Sequence, residues 1–147
     1  MPLLEVNDLV AGYGPIRAVD GVSIALEEGE LAAIIGANGA GKTTLLMAIS
    51  GVVPPRSGTI RFAGRPLAGL PPHAVMRAGI GHAPEGRRIF PRLTVRENLE
   101  LGGFARNDRG QLARDIDEAC GLFPVLGRRL GQLGGTLSGG PPARGRS

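Results

Sequence analysis

An α/β fold arranged round a phosphate-binding loop is predicted by three features of this chain. A continuous apolar run, Leu31-Ala32-Ala33-Ile34-Ile35, leads directly into a glycine loop, Gly36-Ala37-Asn38-Gly39-Ala40-Gly41-Lys42-Thr43-Thr44. Behind the loop, Leu45, Ala48 and Ile49 recur at helical spacing, and Gly51 supplies a C-terminal stop. The loop itself spells Gly, four residues, Gly, Lys, Thr, and it stands between strand and helix as that pattern requires.

The apolar run is read first. Five apolar residues without alternation are the pattern of a parallel strand covered on both faces. Lys42 is then singled out by composition, being the only lysine beside sixteen arginines. An ammonium is a compact charge on a flexible stem, whereas a guanidinium is a wide planar fork. The spacing places the backbone of Gly36, Asn38, Gly39, Ala40 and Gly41, with the first helical turn through Thr44, round a phosphate chain. Lys42 would reach the β- and γ-phosphates, and the Thr43 hydroxyl would ligate Mg²⁺. The bland alternative is a glycine turn that matches by chance.

The other elements follow in chain order. Leu3 to Val10 and Val22 to Leu26 read as short strands round a turn at Gly12-Tyr13-Gly14-Pro15. Those glycines lack the third member of a dinucleotide fingerprint. Pro54 to Gly58 is a turn into a strand at Thr59 to Phe62. Pro72 to Ala78 suggests a short helix, and Ile80 to Ala83 a further strand. Thr94 opens a helix with a capping box, because Glu97 stands three residues on, and Leu99 and Leu101 follow. Arg109 to Leu122 is an amphipathic helix, and glycine dominates from Gly127 onward.

Composition excludes several classes. At 147 residues the chain is one ordinary domain or a piece of a larger one. A net charge of +4 comes from dispersed arginines, and with one Tyr, four Phe and no Trp there is no aromatic platform for nucleic acid. A lone cysteine, Cys120, at a helical position forms no disulfide framework and reads as a small buried hydrophobe. There is no signal peptide and no bilayer-spanning apolar stretch, so a cytosolic chain with a membrane partner still open is expected.

Near the far end stands Leu137-Ser138-Gly139-Gly140. Joined to the phosphate loop in this order, it resembles the signature motif of the ATP-binding subunit of ABC transporters. The segment Ala83-Pro84-Glu85-Gly86-Arg87-Arg88-Ile89-Phe90-Pro91-Arg92-Leu93-Thr94-Val95-Arg96-Glu97-Asn98-Leu99 resembles the LivF-type ATPase of branched-chain amino acid importers, as do Leu122-Phe123-Pro124-Val125-Leu126 and Gln132-Leu133-Gly134-Gly135-Thr136-Leu137 before the signature. The resemblance implies a partial P-loop NTPase fold of the ABC ATPase kind. It would have a small antiparallel β part, the phosphate-loop strand and helix, and an α-helical subdomain over about 85–140. The second half of the core sheet would be missing. The same resemblance implies ATP and Mg²⁺ as cofactors, membrane permease subunits and a second ATP-binding subunit as partners, and a peripheral place on the inner face of the cell membrane.

Residue roles follow from the likeness alone. Tyr13 matches the aromatic that stacks on adenine, the alternative being a turn residue packed on the sheet. Glu85 stands where a side chain contacts the metal or a water, the alternative being a solvated loop acid. Phe90 and Pro91 stand where the family meets its membrane subunit. Leu137, Ser138, Gly139 and Gly140 would act on nucleotide held by the opposite subunit.

Beyond Gly140 the pattern is expected to break. Residues 141–147, Pro-Pro-Ala-Arg-Gly-Arg-Ser, read as a non-family tail after a nucleotide-binding portion over 1–140. No apolar strand ends in Asp-Glu, and neither His73 nor His82 lies beyond the signature. The family's metal-holding aspartate, catalytic glutamate and switch histidine have no counterpart, as a frameshift or truncated gene model would leave it. Competing readings are an inactive binding or regulatory fragment and another P-loop class. A GTPase lacks support because Lys42 cannot also serve an Asn-Lys-x-Asp motif, and the signature speaks against a small-molecule kinase.

Overall fold

The computed structural model describes residues 1–37, 39, 41–83, 89–103 and 107–137. It divides into two compact units, Met1–Ala83 and Pro84–Ser147.

In the first unit, β1 (Leu4–Tyr13) and β2 (Ile16–Leu26) form an antiparallel hairpin. β3 (Ser57–Phe62) pairs with the other edge of β1, and the two-residue β4 (Arg65–Pro66) completes the order β2-β1-β3-β4. Both hairpin strands are longer than the sequence suggests, because pairing continues to Tyr13 opposite Ile16 across a loop of only Gly14 and Pro15. Gly12 permits this: a Cβ there would lie 1.9 Å from the Ile16 carbonyl oxygen.

β1 also breaks the alternation of a regular strand. Val6 and Leu9 stand three residues apart, yet both are fully buried. A register shift between them, with Asp8 at φ 46°, turns both side chains to the same face. The Asp8 N–H that the bulge releases from the ladder donates to Ser23 Oγ at 2.9 Å.

On that face lies α1 (Lys42–Ile49), whose Leu45, Ala48 and Ile49 join Val6, Leu9, Ala11, Val19 and Ile60 in one core. Burying a side chain such as Leu9 contributes about 1.5–3 kcal/mol. α1 ends as expected at Gly51, with φ 82°. The Val52 N–H bonds the Met47 carbonyl at 2.9 Å and the Gly51 N–H the Ala48 carbonyl at 3.2 Å, the paired closure of a Schellman end. α2 (Pro72–Ala78) covers the expected residues and adds Val75 to the core.

Two expected strands are absent. Residues 31–35 pair with no strand among the described residues, and Leu31 and Ile35 are 96% and 93% exposed. The sheet β2-β1-β3-β4 is built without them, and no strand among the described residues accepts their backbone bonds. Residues 80–83 are likewise outside any strand. Ile80 rests partly buried against the core, and His82 Nδ1 lies 3.0 Å from Ser50 Oγ at the end of α1.

The second unit is helical: α3 (Val95–Gly102), α4 (Arg109–Leu122), α5 (Pro124–Arg128) and a 3₁₀ turn at Gly134–Thr136. Thr94 caps α3 as expected, its Oγ1 accepting from the Glu97 N–H at 3.2 Å. The sequence reading missed α5, where Pro124 supplies a helix-compatible first residue immediately after Phe123.

Candidate functional site

The phosphate loop is built on the first unit's sheet rather than on the expected strand. Gly41 is the N-cap of α1 with φ 90°, and a Cβ there would lie 1.9 Å from the Ala18 carbonyl oxygen on β2. Only glycine allows the loop to press this closely on the sheet. Gly39 also takes a positive φ, 85°. No side chain caps α1 and its first turn holds no acid. The N-terminal N–H groups and the positive end of the helix dipole therefore remain suited to an anion.

Lys42 turns back across the loop and its Nζ donates to the Gly36 carbonyl. Thr43 is exposed on the first turn, whereas Thr44 is buried beneath it, 7% exposed. The two threonines thus face different surroundings, and Thr43 is the one whose hydroxyl solvent can reach.

Tyr13 arrives from the end of β1. Its hydroxyl donates to Met47 Sδ on α1 at 3.4 Å, and the residue remains 53% exposed. Tyr13 and the phosphate-loop helix are thereby joined directly. Sequence reasoning did not foresee Met47 in that place, nor Arg56, whose guanidinium donates to the Gly14 carbonyl next to Tyr13. Neither residue carries a local signal, since both act through contacts across long stretches of chain.

In the second unit, Phe90 is 59% exposed, Pro91 is exposed, and Asn98 fixes their loop. Asn98 Oδ1 accepts from the Phe90 N–H at 2.8 Å, and its Nδ2 donates to the carbonyls of Phe90 at 3.0 Å and Thr94 at 2.9 Å. The Gly134 N–H bonds the Leu93 carbonyl at 2.7 Å, and the Gly135 N–H the Pro91 carbonyl at 3.1 Å. Leu137 follows directly on this anchored turn. Glu85, Ser138, Gly139 and Gly140 lie outside the described residues, as do Asn38 and Ala40.

The family model described as ABC transporter matches residues 19–145, a span holding the whole phosphate loop. The chain belongs to the ABC transporter family. The relatives it resembles are the ATP-binding proteins of such transporters. It is 46% identical over 138 residues to the high-affinity branched-chain amino acid transport ATP-binding protein BraG of Pseudomonas aeruginosa, covering 94% of this chain and 59% of that one. To the probable branched-chain amino acid transport ATP-binding protein LivF of Archaeoglobus fulgidus it is 34% identical, covering 94% of this chain and 58% of the relative. A solved ATP-binding subunit of an ABC transporter superposes with a TM-score of 0.81 at 34% identity, over 92% of this chain and 56% of that one. The ABC chain described here therefore spans less than two thirds of the length of each of these relatives.

Proposed function

We propose that this chain is the nucleotide-binding portion of an ABC importer subunit that serves branched-chain amino acids, and that it holds Mg·ATP at the loop Gly36–Thr44. The carrying observation is the loop pinned by Gly41 against Ala18, with uncapped helical N–H groups and Lys42 at its mouth. The solute follows only from the names of the relatives, BraG and LivF.

The residues fit a bound triphosphate. The loop N–H groups and Lys42 bind the phosphates, and Tyr13 offers its exposed ring to adenine. The described residues contain no group of three His, Cys, Asp or Glu that could hold a metal by themselves. Magnesium would instead be held by Thr43 together with phosphate oxygens and water, its usual manner beside a phosphate loop. There it would neutralise charge on the phosphates. Glu85 is the proposed further contact to metal or water. Phe90 and Pro91 would meet a permease subunit at the membrane's inner face, and Leu137 to Gly140 would complete the nucleotide site of a second ATP-binding subunit.

Binding and turnover should separate in these 147 residues. Phosphoryl transfer is catalysed by positioning a water and stabilising charge. No apolar run of the sequence ends in an Asp-Glu pair that would supply a water-orienting carboxylate. Equilibrium titration with Mg·ATP should show saturable binding that Lys42→Ala weakens about tenfold or more, the scale of a charge-assisted contact. Phosphate release should match that of Lys42→Ala. Binding that is insensitive to Lys42→Ala would refute the site, and turnover above the control would refute the separation.

A further inference from the structure

Tyr13 is held at its hydroxyl by the nucleotide-site helix, and Gly14, the residue after it, is held by Arg56. Its hydroxyl rests on Met47 Sδ of α1 at 3.4 Å. Arg56, the residue before β3, grips the hairpin tip. Its N–H donates to the Val10 carbonyl at 2.7 Å, extending the β1–β3 ladder, and its guanidinium donates to the Gly14 carbonyl. Gly14 takes φ 53° and is followed by Pro15, so this two-residue loop carries a glycine that is conformationally free and a proline that gives no N–H. The ladder ends at Tyr13 opposite Ile16, so the two loop residues lie beyond the last strand pair. The Arg56 contact reaches them from 42 residues away.

We propose that Arg56 is a positioning residue for base recognition: it holds the hairpin tip so that the Tyr13 ring is presented to a purine. Stacking gains most when the ring is fixed before the base arrives, because ordering the tip on binding would cost part of the contact. Arg56 is exposed, so its role need not include core packing. The inference rests on the ATP reading above, and it assigns Arg56 no contact with phosphate.

Two probes separate the base from the phosphates: Mg·ATP, and inorganic tripolyphosphate with Mg²⁺. The unsubstituted protein should bind ATP more tightly than tripolyphosphate, and Tyr13→Ala should remove most of that preference. Arg56→Met keeps an unbranched apolar stem and removes the donor. It should weaken ATP about fivefold, the weight of one ordinary hydrogen bond, and leave tripolyphosphate unchanged. Arg56→Lys retains a donor and should restore much of the loss. Combined with Tyr13→Ala, Arg56→Met should cause no further loss, since the two act on one contact. Equal weakening of both probes would overturn the proposal by making Arg56 a phosphate or general fold residue. An additive double variant, or no effect of Arg56→Met on either probe, would overturn it as well. If the unsubstituted protein binds both probes equally, base recognition fails with it. If it binds neither, the phosphate-loop reading itself fails.

Discussion

Strand β1 and the run Leu31–Ile35 both carry apolar side chains in the same unit, and these meet opposite fates. β1 has partners on both edges, β2 and β3, and three of its side chains, Val6, Leu9 and Ala11, are fully buried. Leu31 and Ile35 lie almost wholly exposed beside the phosphate loop, with no strand to pair with among the described residues. Hydropathy reports how much a segment gains from burial. Pairing decides whether it becomes a strand at all, because each backbone N–H and C=O needs a partner. The phosphate loop stands between these cases. Its helical side is anchored on the sheet through Gly41 and Ala18, while its other side continues into the unpaired run.

The contrast can be broken most decisively in β1. Leu9→Ala should cost about 2–5 kcal/mol, measured by urea unfolding, because a fully buried leucine leaves a cavity. A loss below about 1 kcal/mol would show that β1 is not the core the contrast requires. Gly41→Ala tests the anchored side of the loop. The substitution adds a Cβ 1.9 Å from a carbonyl oxygen at φ 90°, so it should abolish saturable Mg·ATP binding while the circular dichroism of the sheet persists. Binding retained at the original affinity would mean that the loop does not need this approach.

Smaller effects sharpen the comparison. Thr94→Ala removes the cap of α3 and should cost about 1 kcal/mol, read from the thermal unfolding of the second unit. Leu31→Ser and Ile35→Lys should change stability by less than about 0.5 kcal/mol, since both side chains are already in solvent. The same pair should reduce aggregation in light scattering, as an exposed apolar run outside any strand is a template for association. A large loss of stability from either would place that side chain in a core.

What the sequence discloses divides along the same line. The helix behind the glycine loop, its stop at Gly51, the residues of α2 and α4 and the Thr94 cap are written in neighbouring residues, and each is found where its local chemistry puts it. The strands expected over 31–35 and 80–83 failed because a strand needs a partner to pair with, and neither segment pairs with a strand among the described residues. The bulge at Asp8, the length of the hairpin and the grip of Arg56 on Gly14 likewise rest on residues far apart in sequence. At the candidate site, Lys42, Thr43 and Tyr13 could be proposed from spelling and likeness. Met47 and Arg56 could not, since nothing in their neighbours marks them.

Backbone amide hydrogen exchange, followed by mass spectrometry with and without Mg·ATP, tests the central contrast most directly. Peptides from β1 should exchange slowly in both conditions, and those covering 31–35 should exchange fast in both. On adding Mg·ATP, protection should appear over Gly36 to Leu45, at the loop and the first turn of α1. Slow exchange over 31–35 in the monomer, or nucleotide-induced protection confined to segments outside the loop, would contradict the account.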